Sequence, residues 1–172
     1  MSSFAAESKT EGIKLISHEG ESFSVPIEVA KMSALVSTML SGDEEEDQDK
    51  EIPLPNVKAP ILAKVIEFCK HHVTDPMTPF EKPLKDADLT KLIQEFYATF
   101  IMSTDNDTLY HLTLAANYLD ISPLLDLCSA RIASFIKDKT VEQIRENLNI
   151  VCDFTPEEEA QVREENKWAD DL

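Results

Sequence analysis

The sequence has little glycine, three in 172 residues, and as little cysteine; it holds one tryptophan and only 16 basic residues against 33 acidic ones. So few glycines leave no glycine-rich loop to cradle an oxyanion. Cys69, Cys128 and Cys152 are an odd number, each beside apolar helical positions rather than in a paired framework. They predict reduced thiols in cytosol or nucleus, not a disulfide scaffold. The shortage of basic residues leaves a formal net charge of -17, which repels nucleic acid and anionic membranes, so neither is an expected partner. No apolar stretch approaches the roughly 20 residues of a membrane span. The opening MSSFAAESKTEG lacks a basic segment followed by an apolar one, so export is not expected.

What is present is an ordinary 42% of hydrophobic residues, and a chain of this length buries roughly 70% of its unfolded surface in one core. Ile13 to Ile16 and Phe23 to Val25 are β-prone runs joined by His18-Glu19-Gly20-Glu21; the glycine supplies a positive-φ turn position, which predicts an opening hairpin. Pro26 sits where a helix starts, and Leu35, Val36, Met39 and Leu40 recur at helical spacing before Ser41-Gly42. Residues 43–51, DEEEDQDKE, carry seven acidic side chains in nine. With no apolar group to repay ordering, they predict a mobile, solvated loop. Ile52-Pro53-Leu54-Pro55 reads as an edge strand, because each proline removes a ladder donor. Pro60 opens a helix carrying Ile61, Leu62, Val65, Ile66 and Cys69 that ends near His71-His72. A second, proline-rich loop over 74–88 follows, then a helix within Leu89 to Met102.

Asp107 is placed to cap the next helix, where Leu109, Leu112, Ala116 and Leu119 form one apolar stripe. At about 100° per residue, Tyr110, Leu114 and Asn117 project on the opposite side with Tyr118 at its flank, so one face suits a core and the other a partner. Ser122-Pro123 reads as a cap with a first-turn proline, ahead of Leu125, Cys128, Ile132, Phe135 and Ile136. Thr140-Val141-Glu142-Gln143 and Thr155-Pro156-Glu157-Glu158 fit the capping box, in which the threonine and the residue three later satisfy each other's end amides. These last helices are thin in apolar residues and gain little by folding alone.

Chemistry-bearing clusters are sparse. Cys69-Lys70-His71-His72 would need further ligands to hold a metal, and only His18 and His111 remain, so a frayed helix end is the plainer reading. Cys152-Asp153 has no oxyanion donors to make a thiol enzyme. No metal, cofactor or catalytic residue is expected. Trp168, alone on a charged helix, has the character of a partner anchor.

LAANYLDI, FIKDKTVEQIRENLNI and DFTPEEEAQVREENKWADD, with IPLPNVKAPILAKVIEFCKHH and the acidic run upstream, resemble the S-phase kinase-associated protein 1 family of SCF ubiquitin-ligase adaptors over nearly the whole chain. The resemblance implies an α/β BTB/POZ domain over 12–138, with a small three-stranded sheet and packed helices, and a C-terminal helical F-box-binding extension over 139–172. It implies a non-catalytic bridge from a cullin scaffold to interchangeable F-box proteins, in cytoplasm and nucleus. Asn117 and Tyr118 match the family's cullin-facing pair; Leu148, Ile150 and Trp168 match its F-box-binding positions, Leu148 standing where relatives have phenylalanine. Pro156 corresponds to a proline hydroxylated and glycosylated in some protist relatives, although a first-turn helix proline is the simpler account. The chain departs from the pattern at LIQEFYATFIM, where Leu92 and Ile93 replace a Trp-Asp pair and a short run is inserted after Phe96. A weak homodimer of the free chain through the BTB surface stays open. The alternatives are an F-box-binding subunit of a cullin-free kinetochore or vesicle-associated assembly, and a thiol or metal enzyme.

Overall fold

In the computed structural model, residues 12–41 and 50–168 are described; of the acidic loop expected over 43–51, residues 43–49 lie outside them, and Glu51 already belongs to a strand. The chain divides into two compact units between Lys137 and Asp138.

Strands β1 (Gly12–Ile16) and β2 (Ser22–Pro26) form the expected hairpin, antiparallel with Ile13 opposite Val25 and Leu15 opposite Phe23. Period-two alternation sends Ile13 and Leu15 into the core and Lys14 outward. Gly20 takes φ +84 in the turn, a conformation that glycine adopts without steric cost. β3 (Glu51–Pro53) joins β1 in parallel, Leu15 opposite Ile52, so the sheet runs β2-β1-β3 with β3 at an edge. There the Leu54 N–H reaches Ile16 O at 2.8 Å while Pro53 falls on the alternate position, where a missing donor breaks no ladder bond.

Helices cover this sheet. Pro26 precedes α1 (Ile27–Ala30), and Ser33 caps α2 (Ala34–Leu40) by accepting the Val36 N–H at 3.1 Å. α3 (Ala59–Thr74) begins with Pro60 in its first turn and buries Ile61, Leu62, Val65, Ile66, Phe68 and Cys69. Its cap is supplied from outside: the Glu19 carboxylate in the hairpin turn accepts the Ala59 N–H at 2.8 Å, where Lys58 has no acceptor to offer. Turn and helix start are thereby fastened together.

Three helix limits differ from expectation. α3 continues past His71-His72 to Thr74, because His71 stacks on Phe96 at 3.6 Å and His72 on Phe68 at 5.4 Å rather than fraying into solvent. The helix expected within Leu89 to Met102 is α4 (Glu95–Met102), preceded by a 3-10 turn, Leu89–Lys91. The break at Gln94 leaves its side-chain amide free to grip the loop, donating to Pro76 O and accepting from the Thr78 N–H, each at 2.9 Å. α5 (Asn106–Tyr118) is capped by Asp105, not Asp107; the Asp105 carboxylate takes both the N–H and the hydroxyl of Thr108, and the N–H first of all holds it below its usual range. α6 (Ser122–Ile136) has Ile121 at its cap, with Ser122 and Pro123 already in the first turn.

The buried stripe of α6 is also displaced by one position. Leu124, Leu127, Cys128, Ala130 and Ser134 face inward, while Leu125, Ile132 and Phe135 are half-buried and Ile136 is 43% exposed. Apolar spacing fits two adjacent phasings of this helix, and packing against α4 and α5 selects between them. The stretch after Phe96 is core: Tyr97, Ala98, Phe100 and Ile101 are all buried.

The C-terminal unit holds α7 (Val141–Asn147) and α8 (Pro156–Glu165), each with both halves of its capping box formed as read from Thr140 and Thr155. Neither helix buries a residue. The three-stranded sheet with packed helices, followed by a helical C-terminal region, is the α/β BTB/POZ class that the sequence led us to expect.

Candidate partner-binding surfaces

On α5 the core takes Leu109, Leu112, Ala115 and Ala116. Tyr110 at 61% and Leu114 at 49% exposure stand on the other side with Asn117, and Tyr118 is half-buried against the core. The end of α5 is fixed from α2. The Ser33 hydroxyl donates to Leu119 O at 2.5 Å, and the Ala34 and Leu35 N–H groups, otherwise orphaned at a helix start, donate to Asp120 O and Leu119 O at 3.3 and 3.4 Å. Asp120 then turns the chain with φ 52. Asn117 and Tyr118 therefore stand just before a chain turn that three hydrogen bonds tie to the start of α2, on the side of α5 that exposes Tyr110 and Leu114.

The C-terminal unit is built differently. Arg145 pairs with Glu159 at 2.8 Å, and Arg163 pairs with Glu142 and, at 3.3 Å, with Glu159. The Glu142 backbone N–H, the Thr140 hydroxyl and then the Arg163 guanidinium bring the Glu142 carboxyl down to about 2; Arg145, then Arg163, holds Glu159 below its usual range. Apolar groups here face water instead of each other: Val141, Ile150, Val151, Phe154, Val162 and Trp168 are all exposed. Val141, Phe154 and Val162 line an open groove with Arg145, Glu159 and Arg163.

The residues singled out in the sequence thus fall in two places. Asn117 and Tyr118 adjoin on α5. Leu148 and Ile150 follow α7 on either side of Asn149, whose φ of 54 leaves Leu148 half-buried and Ile150 out; Trp168, 65% exposed, follows α8, and Pro156 is exposed in the first turn of that helix. Sequence reading passed over Val151, 84% exposed, and Phe154, which lie between helices where no periodicity marks them. Cys69 and Cys128 are buried, and desolvation pushes their thiols up to about 12 and about 11; Cys152 is exposed. Among the described residues no three His, Cys, Asp or Glu groups are placed to hold a metal, and no helix is long and apolar enough to cross a membrane.

Residues 11–74 match the family model described as "Skp1 family, tetramerisation domain", and residues 122–169 the one described as "Skp1 family, dimerisation domain". An S-phase kinase-associated protein 1 homolog from Tetrahymena thermophila is 48% identical over 159 residues, which cover 92% of this chain and 94% of that protein. The chain belongs to the Skp1 family. An "E3 ubiquitin ligase complex SCF subunit sconC" from Arthroderma otae is 42% identical over 166 residues, 96% of this chain and 99% of that protein. The segment between the two matched Skp1 modules holds α4 and α5, so Asn117 and Tyr118 are displayed from it, whereas Leu148, Ile150 and Trp168 lie inside the 122–169 module.

Proposed function

We propose that this Skp1-family chain is the adaptor subunit of an SCF-type E3 ubiquitin ligase, joining a cullin scaffold to F-box substrate receptors without performing bond chemistry itself. Asn117 and Tyr118, with Tyr110 and Leu114 beside them, form the cullin side. Leu148, Ile150 and Trp168, with Val151 and Phe154, form the receptor side. The working compartments are cytoplasm and nucleus.

The observation that supports this reading is that each of the two compact units exposes large apolar side chains beside the residues named, Tyr110 and Leu114 on α5 and Ile150, Val151, Phe154 and Trp168 in the C-terminal unit. A bridge needs two surfaces that function independently, and large exposed apolar groups mark surfaces that are covered in use. The names of the 48% and 42% identical relatives, a homolog of S-phase kinase-associated protein 1 and an SCF subunit, support the same role.

The test is reconstitution. The purified full chain is mixed with a cullin N-terminal domain and an F-box domain, singly and together, and run on a sizing column. A ternary complex is expected, with both partners held at once. Capture of the F-box domain without the cullin would favour the cullin-free assembly, and capture of neither would overturn the adaptor reading.

A further inference from the structure

The last turn of α3 carries two histidines, His71 and His72, that neither partner surface uses. His72 is half-buried, its ring stacked 5.4 Å from that of Phe68. Its Nδ1 accepts the Met77 N–H at 3.3 Å, just where the chain leaves α3. An imidazole nitrogen accepts only while it carries no proton, so this bond fixes the neutral ring with its hydrogen on Nε2. The Tyr97 hydroxyl of α4 lies 3.3 Å from the same Nδ1 and donates its own hydrogen to Asp75 O at 2.6 Å. Burial first, then Asp75, pushes the Tyr97 pKa up to about 12. Tyr97 therefore keeps that hydrogen at neutral and acid pH, and its oxygen is left to accept.

Nδ1 has a different partner for each of its protonation states. Without a proton it takes the Met77 N–H. With one it meets that N–H as donor against donor, which leaves the bond unmade, and the Tyr97 oxygen is within reach instead. The titratable groups that face the ring are His71 and Asp75 at the end of its own helix and Tyr97 on α4. Burial first, and then the neighbouring His71, lowers the His72 pKa below the ordinary 6.5. The Asp75 carboxylate stands 3.7 Å from His71 Nε2, so a positive charge is better accommodated on His71 than on His72. On either side of Met77, Gln94 holds Pro76 O and the Thr78 N–H through an amide that does not titrate. The Met77 bond is left to answer to pH.

We propose that His72 is a pH-sensitive latch on the loop that follows α3: neutral, it clasps the Met77 N–H; protonated, it turns its Nδ1–H to the Tyr97 oxygen and lets Met77 go. The latch lies wholly within the first unit and does not depend on the adaptor reading. A histidine whose pKa is depressed on folding stabilises the fold above its unfolded pKa and loses that contribution as pH falls through the folded one. The clasp is therefore released on acidification.

The full chain, labelled for NMR, is titrated from neutral to acid pH. The His72 ring resonances are followed together with the exchange protection of the Met77 amide, corrected for the intrinsic pH dependence of exchange. Protection at Met77 is expected to fall about five- to ten-fold, with the same midpoint as the His72 ring and below 6.5. His71→Gln removes the neighbouring charge and is expected to move both midpoints up together. His72→Gln offers an oxygen that does not titrate and is expected to flatten the Met77 response. Met77 protection that stays level through the wild-type ring titration overturns the latch, whatever the variants do. So does a His71→Gln shift of the ring midpoint that Met77 does not follow, or a wild-type response that persists in folded His72→Gln.

Discussion

The two units of the chain display apolar surface in opposite ways. The first unit owns the whole core, and its exposed face on α5 rides on a helix whose inner side, Leu109, Leu112, Ala115 and Ala116, is buried. In the C-terminal unit, α7 and α8 bury nothing, and their apolar groups are exposed while arginine-carboxylate pairs hold the helices. Burial stabilises by about 25 cal/mol per Å² of apolar surface, whereas exposed ion pairs contribute about 0 to 1 kcal/mol each. A rigid display surface and a loosely held one follow from the same 172 residues.

The comparison breaks most readily in the core. Leu112→Ala, at a fully buried site, is expected to cost about 2 to 5 kcal/mol and to lower the melting temperature of the first unit, read by circular dichroism. Val162→Ala, at a 40% exposed site, should leave that transition where it is; an equal loss from both would show that α8 shares in the core's stability.

A smaller effect sharpens the contrast in dynamics. Amides of α7 and α8 in the free chain should exchange far faster than those of α3 and α5, and should gain protection when an F-box domain binds, because partner contacts repay the ordering. Equal protection of residues 156–168 in the free and bound states would contradict coupled ordering.

Smaller again is the response to salt. At about 1 M salt the screening length falls to about 3 Å, so the Arg145-Glu159 and Arg163-Glu142 pairs weaken and helicity of the C-terminal unit should drop, with the first unit unaffected. Arg163→Ala should abolish most of that salt dependence.

The smallest effect is the pH response of the α3 cap. The Ala59 N–H first, then its own backbone N–H, depresses the Glu19 pKa below its ordinary 4.5. A depressed carboxyl stabilises the fold above its unfolded pKa and loses that contribution as pH falls through the folded one. Wild type and Glu19→Gln should therefore differ in melting temperature at neutral pH and converge as pH falls through the depressed Glu19 pKa. A gap that persisted in acid would mean that the cap acts without its charge.

Much of this was legible from residues alone. The hairpin, its Gly20 turn and both capping boxes are local patterns, and local patterns survive in the fold. The exposed side of α5 was readable because Leu109, Leu112 and Ala116 leave one phase for the helix. α6 was misread since its apolar residues fit two phasings, and only the neighbours decide. Asp105 and Asp107 both suit a cap, and the Thr108 hydroxyl, which donates to Asp105, favours the first. Glu19 capping α3 and Ser33 holding Leu119 join residues far apart in the chain, which no window along the sequence reveals.

Two surfaces on two units should fail separately, and a matrix of four affinities tests this most directly. Asn117→Lys combined with Tyr118→Lys is measured against Trp168→Ala, each with a cullin N-terminal domain and with an F-box domain, while circular dichroism confirms folding. The lysine pair carries unpaired charge into a packed interface, at about several kcal/mol, and should abolish cullin binding while sparing the F-box domain. Trp168→Ala should cost about 2 to 4 kcal/mol toward the F-box domain and leave cullin affinity unchanged. If each folded variant instead loses both partners, or the lysine pair leaves cullin affinity intact, the two-surface account is contradicted.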